Sequence, residues 1–170
     1  MSEPPAAEQV IEALGLAPHP EGGYYREVYR SEEVVPAAAL PPRYGSDRVV
    51  ATSILFLLTH ASYSALHRLA SDEVYHLYLG GPLDLSVLHP TGEAETVRLG
   101  QDLLRGERVQ HVVPRGAWQG SRLVGEAPFA LMGCTVAPGF DFADFEMAKR
   151  SEIVRKYPHA ADIIRRLTHN

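Results

Sequence analysis

The stretch Ser64-Ala-Leu-His67-Arg-Leu-Ala-Ser-Asp-Glu73-Val-Tyr-His-Leu-Tyr-Leu-Gly80-Gly-Pro82 decides the fold. It reads as a strand, Tyr63 to Leu69, a tight turn, a second strand, Val74 to Leu79, and a Gly-Gly-Pro connection. His67 and Glu73 then stand on consecutive strands, and both side chains can point into one barrel mouth. Side chains alternate along a strand, so Tyr75 shares the face of Glu73 while His76 turns to the other.

The same pattern continues on both sides. Strands are expected at Tyr24 to Arg30, Val49 to Leu58, Leu83 to Leu88, Glu95 to Leu99, Arg108 to Val113, Gln119 to Val124 and Phe129 to Val136. Their connections carry turn chemistry, such as Pro-Thr-Gly at Pro90 to Gly92 and Pro-Arg-Gly at Pro114 to Gly116. Short strands at roughly ten-residue spacing point to an antiparallel sandwich or barrel, and the lack of strand–helix alternation argues against a parallel α/β sheet. Helices are expected only at the ends: Ala7 to Leu14 before Gly15, then Met147 to Arg155 and Ala160 to Leu167 on either side of Pro158. The expected organisation is one domain over residues 1–170: an N-terminal helix and loop (1–22), a barrel (23–138), and a closing loop with C-terminal helices (139–170).

Composition narrows the class. Of 170 residues 45% are hydrophobic, enough for a real core. Lys and Arg total 16 against 21 Asp and Glu, a net charge of −5 with the basic residues scattered, which argues against nucleic acid or an anionic membrane as partner. A single cysteine, Cys134, allows no internal disulfide and suits a reducing cytoplasm. The start, MSEPPAAEQV, has no export signature, and no apolar run is long enough to span a bilayer.

The order His67, Glu73, Gly80, then Gly106 and Pro114-Arg-Gly-Ala-Trp-Gln119, resembles the two signatures of the cupin superfamily. Leu69 stands where metal-binding cupins carry a second His, and Gln119 where they carry the last one. A narrower resemblance rests on Leu16-Ala-Pro-His-Pro-Glu-Gly-Gly-Tyr24-Tyr25, Ser64-Ala-Leu-His67-Arg, Ser71-Asp-Glu73-Val-Tyr-His76, Val113-Pro-Arg-Gly-Ala-Trp-Gln119 and Cys134-Thr-Val-Ala-Pro-Gly-Phe140. Together these are similar to the cupin type 5 subfamily, domain of unknown function 985. The resemblance implies an all-β jelly-roll barrel with short terminal helices, often dimeric, and supplies no reaction.

His67 and Glu73 are the expected catalytic pair, His67 as acid or base near neutrality and Glu73 as its partner. Tyr75 and Gln119 are expected to position a ligand, with a hydrogen bond to Glu73 as the equal alternative for Gln119, and Arg26 and Tyr25, on a glycine-hinged flap or a bent edge strand, to contact it, with Arg26 as an anion anchor. No cofactor is firmly implied. A divalent metal, if present, would take His67, Glu73 and Gln119, a weak donor set for zinc, iron or copper. The remaining histidines, His19 among them, have no partner at a recognisable spacing, Cys134 reads as a buried structural thiol, and Asp141, Phe142, Asp144 and Phe145 as a plug with acidic caps in preference to a lid. Three functions follow: metal-independent acid/base chemistry of the epimerase or isomerase kind on a sugar, sugar nucleotide or carboxylate; a metal-dependent dioxygenase or isomerase; or a non-catalytic binding or storage module. A homodimer is expected because open jelly-roll sheets leave edges and faces to cover.

Overall fold

The computed structural model describes residues 5–169. Strand β1 (Ala17–Pro18), β2 (Tyr24–Arg30), β5 (Thr52–Thr59), β12 (Phe129–Ala137), β7 (Asp72–Gly80) and β10 (Gln110–Val113) form, in that spatial order, a six-stranded sheet. A second sheet runs β13 (Glu146–Met147), β6 (Tyr63–Arg68), β11 (Trp118–Leu123), β8 (Leu83–Leu88) and β9 (Ala94–Leu99), and β3 (Val34–Val35) pairs with β4 (Arg48–Val49) apart from both. Every pairing between these strands is antiparallel.

The two sheets face each other across one apolar core. Phe56 and Leu58 of β5, Leu77 of β7, and Ala130 and Met132 of β12 meet Leu83, Leu85 and Val87 of β8 and Leu123 of β11. Alternation places these residues on the inner face of each strand, and burying side chains of this size stabilises by about 1.5–3 kcal/mol each. Followed the other way, the same inner rows turn polar: Thr52 on β5, Glu73 on β7, and Cys134 on β12. One end of the barrel is therefore a packed core and the other a cavity.

The helices cover the outer faces. Helix α1 (Ala7–Leu14) ends on Gly15, whose left-handed backbone (φ 61°, ψ 42°) closes the last turn, and packs Val10, Ile11 and Leu14 on Leu57, Phe129 and Leu131. Helices α2 (Arg150–Lys156) and α3 (Ala161–Arg166) lay Ile153, Tyr157 and Ile164 over Leu66, Leu88 and Trp118 of the second sheet. Trp118 is thus buried on the outer face, with the Arg68 guanidinium 4.6 Å above its ring.

Two expectations need correction. Met147 belongs to β13, paired with His67, and α2 starts only at Arg150. The strand expected from Val49 is broken after β4 and resumes at Thr52. Between β2 and β4 the chain also forms β3 and a short 3-10 turn, Ala37–Ala39, tied down by a hydrogen bond from the Ala37 amide to Asp47. No helix among the described residues is long and apolar enough to cross a membrane.

Candidate functional site

The polar end of the barrel encloses a cavity of about 350 Å³. Glu73 and Tyr75 of β7 and Cys134 of β12 form its inner wall, with Thr52, Ile54 and Phe56 of β5 beside them. His67 and Leu69 face them from the second sheet. Strand β2 adds Tyr25, Glu27 and Arg30; its pairing with β5 slips between Glu27 and Tyr29, and this bulge lets Arg30 share the inner side with Glu27. The rim comes from Phe140, Asp141, Phe142 and Phe145, between β12 and β13.

Two residues with no recognisable spacing complete the site, His19 and Glu21, from the turn between β1 and β2. The reason Glu21 points inward is the pair of glycines after it. Gly22 and Gly23 have positive φ (107° and 72°), and a Cβ on Gly22 would run into the Tyr63 carbonyl. At Gly23 it would sit 2.7 Å from Leu58 and 2.8 Å from the Leu57 oxygen. These glycines serve close packing against β5 and β6, not the hinge of a flap. The Glu21 carbonyl then accepts a hydrogen bond from the Ala65 amide (2.8 Å). Sequence offered a signal here, an acid directly before Gly-Gly, but its direction is set by contacts with strands far along the chain.

The hydrogen bonds fix proton positions. His67 Nδ1 lies 2.8 Å from the Ala65 carbonyl, which can only accept, so Nδ1 carries the hydrogen and Nε2 is bare. Nε2 faces Glu21 Oε2 at 3.3 Å, while Ser64 Oγ donates to Glu21 Oε1 (2.7 Å). Burial lowers the His67 pKa, against the pull of Glu73, and raises that of Glu21 to about 8, so at neutrality the imidazole is neutral and Glu21 keeps its proton. The Glu21 amide donates to His19 Nδ1 (3.2 Å), and burial lowers the His19 pKa to about 4. The 3.6 Å approach of His19 to Glu21 is accordingly not an ion pair.

Glu73 is poised differently. Burial raises its pKa, His67 lowers it and Glu21 raises it again, and it settles at about 7. Gln119 Nε2 donates to its Oε2 at 2.6 Å. Tyr75 and Cys134 feel the same carboxylate: burial first, then the Glu73 charge, pushes both well up, so each keeps its hydrogen at neutrality. Cys134 is therefore a protonated thiol in the wall, beside an acid that its sequence neighbours do not reveal.

Of the expected site residues, the structure brings His67, Glu73, Tyr75 and Tyr25 to the cavity. Gln119 stands behind Glu73 rather than on the wall, 1% exposed, with its Oε1 buried and unpartnered. Arg26 is not in the cavity. It alternates to the outer face of β2, exposed and near Gly15, and Arg30 takes the inward place. Nor do Phe140 to Phe145 fill the barrel as a plug; they surround its mouth, with Phe145 stacked on His67 (5.3 Å) and Phe142 54% exposed. Arg48, buried, holds Asp144 by two bonds of 2.6 and 2.7 Å and fixes this rim.

The metal that cupins of other kinds hold does not fit these side chains. His67 Nε2 is turned to Glu21, the Gln119 group next to Glu73 is its NH₂ and not its oxygen, and Leu69 offers no donor. Among the described residues no three His, Cys, Asp or Glu are placed to hold an ion.

Comparison with known proteins agrees with the architecture. An uncharacterized protein of Saccharomyces cerevisiae, YML079W, is 31% identical over 159 residues, covering 88% of this chain and 79% of that one. The structure of a hypothetical protein from Leishmania major superposes with a TM-score of 0.89 at 37% identity, covering 98% of this chain and 100% of the other. Oxalate decarboxylase from Bacillus subtilis shares the fold alone: 16% identity, TM-score 0.53, over 88% of this chain and 36% of the enzyme. The model of the family described as "Cupin superfamily (DUF985)" matches residues 8–148, and the chain, an all-β jelly roll with short terminal helices, belongs to that family of cupins.

Proposed function

We propose that this cupin binds a small polar metabolite in the cavity and moves a proton on it by metal-independent acid/base chemistry of the epimerase or isomerase kind. The observation that carries the reading is Glu73, a carboxyl buried in the wall yet balanced near neutrality at about 7. Such a group takes and returns a proton at little cost. Beside it, the Tyr75 hydroxyl and the Glu21 carboxyl keep their protons at the same pH. Removal of a proton next to a carbonyl by Glu73, with the forming oxyanion hydrogen-bonded by Tyr75, uses each group in the state its surroundings favour. Gln119 acts through Glu73, holding one oxygen in place.

The test is solvent exchange. Sugars, 2-oxo and 2-hydroxy compounds that raise the melting temperature are incubated with the protein in D₂O and followed by NMR. Deuterium uptake at carbon is expected, reduced about a hundredfold or more in Glu73→Gln with binding retained. If every stabilising compound stays unlabelled, or if Glu73→Gln and His67→Ala leave uptake unchanged, the reading is wrong, the first outcome favouring a binding module.

The same reading includes a second copy of the chain. Tyr78 and Val112 stand 48% and 50% exposed on β7 and β10, the open end of the six-stranded sheet. Covering that end removes apolar surface and an unpaired strand from water. Light scattering should give twice the 18.7 kDa chain mass; a monomer at all concentrations rejects it.

A further inference from the structure

We infer that the ligand of this cavity carries a cationic amine, held between the aromatic rim and the carboxylate of Asp141. The inference rests on the reading of the cavity as a ligand site and names its chemical class. Among the described residues Arg30 is the only arginine in the wall, which has no lysine, and it is already spoken for. Its Nε and Nη2 bond both oxygens of Glu27 (2.9 and 2.8 Å), and Nη2 also reaches the Phe140 carbonyl (3.3 Å). The two imidazoles are kept uncharged by burial.

Against this stand four carboxyl groups in the wall, Glu21, Glu27, Glu73 and Asp141. Glu27 is neutralised by Arg30, Glu21 keeps its proton and Glu73 is balanced near neutrality. That leaves Asp141, exposed at the rim, its Oδ1 accepting from the Ala143 amide and its charge felt by Arg30 and Arg48 without a direct bond among the described residues. A carboxylate or phosphate entering here would meet like charge and no free positive group, which low-dielectric walls make costly.

The rim supplies the attraction. His19 meets Tyr25 edge-on at 4.5 Å, Phe140 meets Phe142 edge-on at 4.9 Å, and Phe142 and Phe145 stand 6.0 Å apart. Aromatic faces carry negative potential and attract an ammonium group, more strongly where water is excluded, and nearby carboxylates add to the attraction. A rim of this kind with anionic neighbours suits an amine and disfavours an anion of the same size.

Three probes of nearly one shape separate the cases: benzylammonium, benzyl alcohol and benzoate, titrated into the whole protein and followed by calorimetry and amide chemical shifts. Benzylammonium is expected to bind at least about tenfold more tightly than the alcohol, and benzoate the least, with shifts at Tyr25, Phe142 and Phe145. Asp141→Asn, an exposed change, should lower the ammonium-to-alcohol affinity ratio about threefold or more. Benzoate binding as well as benzylammonium, or a ratio untouched by Asp141→Asn, overturns the charge inference and leaves the cavity as a ligand site. Failure of all three probes to shift any cavity residue overturns both.

Discussion

Glu21 and Glu73 share one cavity but differ in what holds them, and the difference sets their chemistry. Glu21 is enclosed by Ser64, His67 and His19, with no bonded cation among the described residues, and burial dominates; Glu73 is offset by Gln119 and the pull of His67. A carboxyl whose pKa rises from 4.5 to about 8 on folding binds its proton more tightly in the native state. Its contribution to stability is full below pH 4.5 and is lost as pH rises towards 8, at about 1.4 kcal/mol for each pH unit crossed between those two values. Glu21→Gln, an isostere of the protonated acid, should therefore be more stable than the parent at pH 9 by an amount on the order of a few kcal/mol, and about equal at pH 5. Urea denaturation at the two pH values measures this; a variant less stable than the parent at pH 9 would mean that the fold favours ionised over protonated Glu21. That His67 and Glu73 face one cavity was legible because six positions and one turn separate them, whereas Glu21, the direct partner of His67, was not. His19 was not, since its neighbours come from other strands.

At the scale of elements, the rim between β12 and β13 is a latched segment. Arg48 and Asp144 are 2% and 8% exposed, far apart in sequence, and joined by two short bonds. Removing one partner of such a pair leaves a buried charge, so Asp144→Asn should cost about 3 kcal/mol in denaturant unfolding and weaken any cavity ligand by freeing the rim phenylalanines. A loss under about 0.5 kcal/mol would show the rim held by its aromatic contacts alone. The Glu21-Gly22-Gly23 turn is the second such device. Gly22→Ala meets both a strained φ and the Tyr63 carbonyl, so it should destabilise by more than about 1 kcal/mol. An alanine variant as stable as the parent would return the turn to the role of a hinge. Strand existence was legible from alternation, and Tyr24–Arg30 and Leu83–Leu88 match their expected bounds. The slip in β2 was not, and it brings Arg30 rather than Tyr29 into the cavity, because one bulged residue reverses which side chains face in; Arg26, before the slip, lies outside by plain alternation from Tyr25.

The whole molecule is two sheets closed around a core, with helices laid on the outside. Ile164 of α3 is fully buried between α2 and the second sheet, and Ile164→Ala should cost about 2–5 kcal/mol in a single cooperative transition. An early separate loss of helix signal would show instead that the C-terminal helices unfold independently of the barrel. By itself the sequence determined the strands, the helices at both ends, the cupin signatures, and the departures at Leu69 and Gln119, because alternation, turn residues and motif order are local properties of the chain. Only the tertiary structure decided that Gln119 serves Glu73 from behind, that His19 and Glu21 join His67, and that Cys134 lies beside an acid. It also decided that the one arginine of the wall is already paired. Burial and charge balance depend on which strands become neighbours, and a linear sequence does not carry that distance.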